Sequence, residues 1–188
     1  MPEIGLKCSC GKVTGKTSNI NSGSGTRITC CCYDCQSFAR YLDQEDTVLD
    51  EYGGTDIFQM PISNLKITKG EEHISCLRLS TKGLYRWYTK CCNTPIGNTM
   101  GPSMPFIGVI HNFMNHTSSR DQDLGKNRGY IETKNAKKKI PNNLSESAFR
   151  INLGTITKLI YWKIKGLNTP SSFFDDSGKP VAKPKVLN

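Results

Sequence analysis

The sequence lacks any apolar run of about 18 residues, the length that a membrane-spanning helix requires. The segment from Met1 to Lys7 also has no apolar stretch of the kind found in secretory signals. We therefore expect no transmembrane segment and a cytoplasmic location, where thiols are kept reduced.

Acidic residues are scarce, because 16 Asp and Glu stand against 25 Lys and Arg, which gives a net charge of +9. Such an excess suits an acidic partner such as nucleic acid, a membrane surface or an anionic small molecule. However, the basic residues are spread along the chain, and the one dense run, Lys137 to Lys139, lies in a polar segment. Aromatic residues do not alternate with them as on a surface that stacks single-stranded nucleic acid. Nucleic-acid binding is therefore not expected.

Histidine is also rare, with three residues, and none lies inside a cysteine cluster. His111 follows a predicted buried strand, where a hydrogen-bonded core position is favoured over a metal ligand. His73 and His116 fall in predicted loops. Cys76 stands alone in an alternating strand, which indicates a core residue.

Cysteine, in contrast, is abundant: the chain of 188 residues has nine. The number is odd, and eight of the nine fall in three clusters with the spacing of metal ligands, which favours thiolate ligation over disulfides in a reducing compartment. The clusters are Cys8-Ser9-Cys10-Gly11, Cys30-Cys31-Cys32-Tyr33-Asp34-Cys35 and Cys91-Cys92. Thiolates select thiophilic ions such as zinc, so the sequence predicts two zinc ions.

The three clusters differ in how many ligands they offer. Cys8 and Cys10 need a second half-site, which Cys91 and Cys92 can provide. Read as Cys-x-Cys-x-x-Cys, the central cluster offers Cys30, Cys32 and Cys35 and leaves one position open. A closed four-sulphur site is typically structural, whereas three protein ligands with an exchangeable fourth position are typical of catalytic zinc. Cys31 or a histidine could still close the central site.

In order and spacing, these clusters resemble the glutathione-dependent formaldehyde-activating enzyme and centromere protein V superfamily, over roughly residues 4–112. The resemblance implies an Mss4-like fold, with small antiparallel sheets around zinc. It also implies carbon–sulphur lyase activity that joins formaldehyde to glutathione as S-hydroxymethylglutathione, with glutathione as the thiol substrate. By position, Cys8, Cys10 and Cys92 would hold a structural zinc, and the catalytic zinc would be held by Cys30, Cys32 and Cys35.

The third cluster departs from the superfamily pattern Cys-x-x-Cys-Gly-Thr-Pro. Aligning Asn93-Thr94-Pro95 with Gly-Thr-Pro places Thr89 at the first cysteine and Cys92 at the second. Threonine is not a thiolate ligand, so Cys91 is the candidate fourth ligand. Adjacent residues of an extended chain point to opposite faces, so both cysteines can reach one ion only if the backbone turns sharply there.

The remaining pattern predicts a mainly β fold with a C-terminal α-helix and an extended tail. We expect a zinc-binding β domain at 1–112, a polar loop excursion at 113–143, and a C-terminal region at 144–188 packed on the domain. A short helical turn is expected at 36–42 and irregular structure at 95–105. The apolar content of 149–164 is too high for a fully solvated helix, so it should dock on the sheet or in a homodimer interface; a membrane-surface helix is a further possibility.

Two functions remain open from the sequence. The first is a zinc lyase acting on a thiol–aldehyde adduct, for which Arg27, Arg40 and Arg86 are the cations nearest the clusters and could meet the carboxylates of glutathione. The second is a non-catalytic zinc-binding interaction module with a basic surface. The fourth ligand of the central site would separate them.

Overall fold

The computed structural model describes residues 3–114, 120–144 and 148–187. The strands are β1 (Gly5–Lys7), β2 (Thr14–Thr17), β3 (Thr26–Cys30), β4 (Thr55–Met60), β5 (Leu65–Lys69), β6 (Ile74–Arg78), β7 (Tyr85–Thr89), β8 (Pro95–Thr99), β9 (Ile107–Ile110), β10 (Tyr130–Ile131) and β11 (Lys185–Val186). The α-helices are α1 (Tyr33–Tyr41), α2 (Glu45–Val48), α3 (Arg120–Leu124) and α4 (Ala148–Ile164). The predicted mainly β class with a C-terminal helix is confirmed, and two sheets beside cysteine clusters fit an Mss4-like architecture.

The strands form two sheets. The smaller has the order β1-β2-β5 and is antiparallel, and the larger has the order β10-β3-β4-β9-β8-β7-β6-β11. The larger sheet is antiparallel except at its two edges, where the two-residue strands β10 and β11 pair in parallel with β3 and β6. Its central strands, β4, β9, β8 and β7, carry side chains on both faces.

Each face of the larger sheet has its own core. One core includes residues of both sheets, such as Leu6 and Ile67 from the smaller and Trp87 and Val109 from the larger. The opposite core contains Phe38 and Ala39 of α1 together with sheet residues such as Leu77. Helix α1 thus covers the second face of the sheet and brings its N-terminus against the strands.

Strand β8 corrects the expectation of irregular structure at 95–105. All five residues of Pro95–Thr99 are buried in the centre of the larger sheet. Proline is tolerated because it is the first residue of the strand. Position 97 requires glycine because the backbone of Gly108 on β9 lies so close that a Cβ would be 2.6 Å from its carbonyl oxygen. Proline, glycine and asparagine lower the strand propensity of this segment, but tertiary packing overrides it.

Helix α4 spans Ala148–Ile164, close to the predicted 149–164. Gly166, with φ +67°, follows its end in the left-handed conformation. The residues just before the helix, Ser145 to Ser147, have the composition of a helix start but lie outside the described residues. One face is buried through Ile151 and Trp162. The opposite face exposes an apolar stripe: Phe149, Leu153, Ile156, Ile160 and Ile164.

None of the helices in the described ranges combines the length and the apolar character needed to cross a bilayer.

Candidate metal centres

Two tight turns bring four cysteines together at one end of the fold. Gly11, with φ +75°, closes the first turn after Cys8 and Cys10, and its amide donates to the Cys8 carbonyl. The second turn follows β7, where Asn93 adopts a left-handed φ of +54° and its amide donates to the Thr89 carbonyl at 2.8 Å. This is the sharp turn that the sequence required if Cys91 and Cys92 were to face the same point. We call Cys8, Cys10, Cys91 and Cys92 the four-thiol cluster.

The spacing of these thiols fits a tetrahedral ion. The Sγ atoms lie 3.6 Å apart for Cys8 and Cys10, and 3.4 Å for Cys10 and Cys91. They lie 4.0 Å apart for Cys8 and Cys91, and 3.8 Å for Cys91 and Cys92. Zinc–sulphur bonds of about 2.3 Å in a tetrahedron place sulphurs about 3.8 Å apart. All nine cysteines are free thiols, so the four-thiol cluster is a set of potential ligands and not a disulfide pair.

Hydroxyl groups surround the sulphur of Cys92. The Oγ1 atoms of Thr89 and Thr94 lie 3.3 Å and 3.2 Å from Cys92 Sγ. Burial by itself raises the pKa of Cys92, but hydrogen bonds from Ser9, Thr89 and Thr94 outweigh it and lower the pKa to about 4. Thr89 thus stabilises a neighbouring thiolate, and Cys91 is the fourth thiol of the cluster.

The second cluster forms where β3 meets α1. Cys30 ends β3, Cys32 is the N-cap of α1, and Cys35 lies in its first turn. The amide of Cys35 donates to Cys32 Sγ at 3.3 Å. The helix begins at Tyr33, inside the motif and not at residue 36 as expected, because a sulphur acceptor at the N-cap satisfies an amide that would otherwise be unpaired. We call Cys30, Cys32 and Cys35 the three-thiol cluster, in which the Sγ atoms all lie within 4.8 Å of one another.

The groups that could have closed this cluster point elsewhere. The Cys31 thiol donates to the carbonyl of Tyr52 at 3.9 Å. The ring nitrogens of His111 lie 3.4 Å from the carbonyl oxygen of Asp56 and 3.2 Å from that of Thr47. Among the described residues, the metal-ligating groups gathered at this point are three thiols and no histidine or carboxylate. Cys76 has the core position that the sequence favoured, whereas His111 is hydrogen-bonded as expected but only half-buried.

The three thiols are unequal in acidity. Hydrogen bonds from Cys30 and Cys35 lower the pKa of Cys32 to about 2, and the charge of Arg86 adds to this. The same hydrogen bond to Cys32 raises the pKa of Cys30. A divalent ion would bind all three sulphurs as thiolates and displace the protons that remain on them.

A cavity of about 560 Å³ opens onto the three-thiol cluster. Its wall includes all three cysteines, and its other sides come from α1, β4, β7, β8 and the segment around β10. The polar and aromatic residues that line it include Tyr33, Asp34, Gln59, Arg86, Phe106 and Lys134. The segment at 113–143, expected as a loop excursion, thus supplies a strand to the sheet edge and residues to this wall. Of the three arginines suggested from the sequence, Arg86 lines the cavity, Arg27 pairs with Asp56 at 2.8 Å and Arg40 lies over Tyr33.

Residues 2–185 match the model of a family described as a family of unknown function, DUF6151. The chain belongs to the DUF6151 family. The part of this DUF6151 protein that the family model matches contains both thiol clusters and α4. This match does not show that the chain belongs to the formaldehyde-activating and centromere protein V superfamily, so the resemblance to that superfamily stays a prediction.

Comparison with solved structures finds the crystal structure of a Rhodobacter sphaeroides protein, with 16% sequence identity and a TM-score of 0.46. The match covers 68% of this chain and 99% of that one. None of the curated proteins compared with the sequence is significantly similar to it.

Proposed function

We propose that the protein binds two zinc ions, one structural at the four-thiol cluster and one functional at the three-thiol cluster. The observation that carries the proposal is the different number of thiols at the two points, together with the cavity of about 560 Å³ that opens onto the smaller set. Four thiols complete a tetrahedron, whereas three leave one position for an exchangeable ligand. Sulphur ligands favour zinc over hard cations such as Mg²⁺.

The function that we propose for the three-thiol cluster is reversible addition of a thiol to a small aldehyde, as in a carbon–sulphur lyase. Zinc held by three thiolates is a poor Lewis acid, but it would lower the pKa of an incoming thiol and hold it as the nucleophile. The sulphur forms a bond to the carbonyl carbon, the carbonyl π pair moves to oxygen, and that oxygen takes the proton that the thiol lost. The reverse reaction releases the aldehyde. The resemblance to the formaldehyde-activating superfamily suggests formaldehyde as the aldehyde and glutathione as the thiol, with S-hydroxymethylglutathione as the adduct.

The cavity supports a polar substrate of this size. A tripeptide thiol needs a site of a few hundred Å³, within the usual range for small-molecule pockets. Gln59 offers an amide on the cavity wall, Lys134 offers a cation that pairs with Glu132 at 3.6 Å, and Phe106 offers an apolar surface. Such a mixed wall suits a flexible molecule that carries both amide and carboxylate groups.

The test is a rate measurement, because thiol and aldehyde add without a catalyst. Exchange between formaldehyde and S-hydroxymethylglutathione would be followed by NMR with the wild-type protein, Cys32→Ser and, as a matched control, Cys76→Ser. Cys76 is a buried thiol outside both clusters. We expect faster exchange with wild type and Cys76→Ser than with Cys32→Ser. Equal rates with and without protein would exclude the lyase and leave the zinc sites to be explained.

A second candidate function is an interaction module whose zinc ions are purely structural. The apolar stripe of α4 favours it, because exposed apolar patches of this kind commonly mark interaction surfaces. We propose a second copy of the chain as the partner, with α4 of 17 residues, about 25 Å long, as the contact. Light scattering coupled to size exclusion should show a dimer for wild type and a monomer for Ile156→Ser, and a monomer in both would exclude this interface.

A further inference from the structure

Arg86 occupies a position that is unusual for an arginine. It is the second residue of β7 and is 1% exposed, on the sheet face that α1 covers. Its guanidinium lies over the ring of Phe38, 5.6 Å from the centroid. Burying a guanidinium is costly unless an opposite charge and hydrogen bonds compensate for it.

The visible partners of Arg86 compensate its charge only in part. Nη2 donates to the carboxylate of Asp34 at 3.2 Å, and Nη1 donates to Asn98 Oδ1 at 3.2 Å. The Asp34 side chain is 49% exposed, so water screens the attraction. Nε is buried without a hydrogen-bond partner among the described residues. The remaining neighbour is the thiol of Cys35, 3.9 Å from Nη1.

A loaded three-thiol cluster would supply the negative charge that the visible partners of Arg86 supply only in part. One divalent ion with three thiolates carries a formal charge of −1, and the buried guanidinium of Arg86 is the cation that contacts one of these thiols, Cys35. We propose that Arg86 is the charge partner of the loaded three-thiol cluster and is the residue that fixes how tightly the ion is retained there. This rests on the proposed metal site, and it is independent of the lyase reaction.

Asp34 provides a test of opposite sign. Its carboxylate accepts a hydrogen bond from the Arg86 guanidinium and adds a negative charge beside an anionic metal centre. Removing that carboxylate should leave ion retention unchanged or improve it, whereas removing the guanidinium should weaken it. If Arg86 served only to hold α1 on the sheet through the Arg86–Asp34 ion pair, both substitutions would loosen the cluster together.

The experiment is zinc release from the full chain into a competing chelator, with two resolved phases. Cys32→Ser, which should retain only the ion of the four-thiol cluster, identifies the phases. We expect Arg86→Met to weaken the three-thiol phase by about 10- to 100-fold, the usual effect of removing an outer partner of a metal ligand. Arg86→Lys, which keeps the charge, should lie between Arg86→Met and wild type. Asp34→Asn should equal or exceed wild type.

The four-thiol phase serves as an internal control for folding, since it should not change in any of these variants. Arg78→Met is the matched control, because Arg78 also stacks on an aromatic ring, that of Tyr85, and donates to a carbonyl, but lies on β6 and does not line the cavity. If Arg86→Met does not fold, zinc retention in the three-thiol phase of Arg86→Lys and Asp34→Asn is compared with wild type instead. Retention that is lower in Arg86→Lys and not lower in Asp34→Asn supports the role of Arg86, and any other order overturns it.

Each outcome bears on a different claim. A wild-type protein that lacks the three-thiol phase would overturn the proposed metal site itself. The role of Arg86 alone would be overturned if wild type shows both phases and Arg86→Met leaves them unchanged. It would also be overturned if Arg86→Lys retains no more zinc than Arg86→Met. Weakening by Asp34→Asn equal to that by Arg86→Met would also overturn it and assign the ion pair a purely structural role.

Discussion

The four-thiol cluster lies on two turns near the surface, whereas the three-thiol cluster lies at the N-terminus of a helix beside a cavity. In the four-thiol cluster, hydroxyl groups lie around Cys92, and Cys10 is exposed to solvent. The second is flanked by the buried Arg86. The first cluster therefore has neutral hydrogen-bond donors and solvent exposure to stabilise its charge, and the second has the buried cation of Arg86 and a cavity through which a ligand can approach. This difference suggests that the first joins distant parts of the chain and the second meets a substrate.

Replacing a cysteine of the four-thiol cluster should have the largest effect on folding. Cys8→Ser should release one ion and lower the free energy of unfolding by about 5 kcal/mol or more, because structural zinc contributes directly to folding. The ion would join segments 83 residues apart in sequence, Cys8 and Cys91. Thermal melts of zinc-loaded proteins would measure it. A loss no greater than that of Cys32→Ser would reverse the roles of the two clusters.

Cys32→Ser should release the other ion at a lower cost in stability, about 2 kcal/mol or less, typical of a single substitution that leaves the core intact. Metal analysis of freshly reduced protein should give two ions for wild type and one for this variant. The matched control is Cys31→Ser, because Cys31 is adjacent in sequence but its thiol points to Tyr52. Loss of an ion in Cys31→Ser would mean that the cluster is closed by a fourth thiol.

The sequence predicted the cysteine groups and the fold class, but it could not settle whether Cys91 or no fourth thiol completes the first set. That choice depends on the turn at Asn93, and a left-handed asparagine is not evident from the pattern around it. Strand β8 was missed for a similar reason, since the composition of Pro95–Thr99 is that of a loop and its neighbours β7 and β9 impose the strand. Arg86 was noted only for its nearness in sequence, because burial of a cation has no local signal.

The hydroxyl groups around Cys92 should have a smaller effect, confined to the four-thiol cluster. Thr89→Val removes a hydrogen bond to a thiolate, worth about 1.5 to 3 kcal/mol, so zinc retention there should fall by about 10-fold or more. The three-thiol phase should be unchanged. Thr68→Val is the control, because the Thr68 hydroxyl is on the exposed face of β5 and pairs with Thr14 at 3.3 Å. A loss in both phases would indicate general destabilisation instead.

The smallest effect is expected at His111, which lies outside both clusters. His111→Gln should retain both ions. Burial lowers the pKa of His111 below its ordinary value, so the unfolded chain takes up the proton first as the pH falls. Wild type should therefore lose stability between about pH 7 and pH 5 in excess of the variant. Denaturant unfolding at a series of pH values would measure the difference. Parallel curves, or an ion lost from the variant, would place His111 in a different role.

The most direct test of two unequal metal centres is the number of sulphur ligands per zinc, from the zinc-edge X-ray absorption spectrum. Four and three thiols predict an average of about 3.5 sulphurs per zinc in the wild-type protein. Cys32→Ser should raise this average to about 4, because only the closed site would remain loaded. An average of four sulphurs in wild type, or an average that does not rise in Cys32→Ser, would contradict an open three-thiol centre.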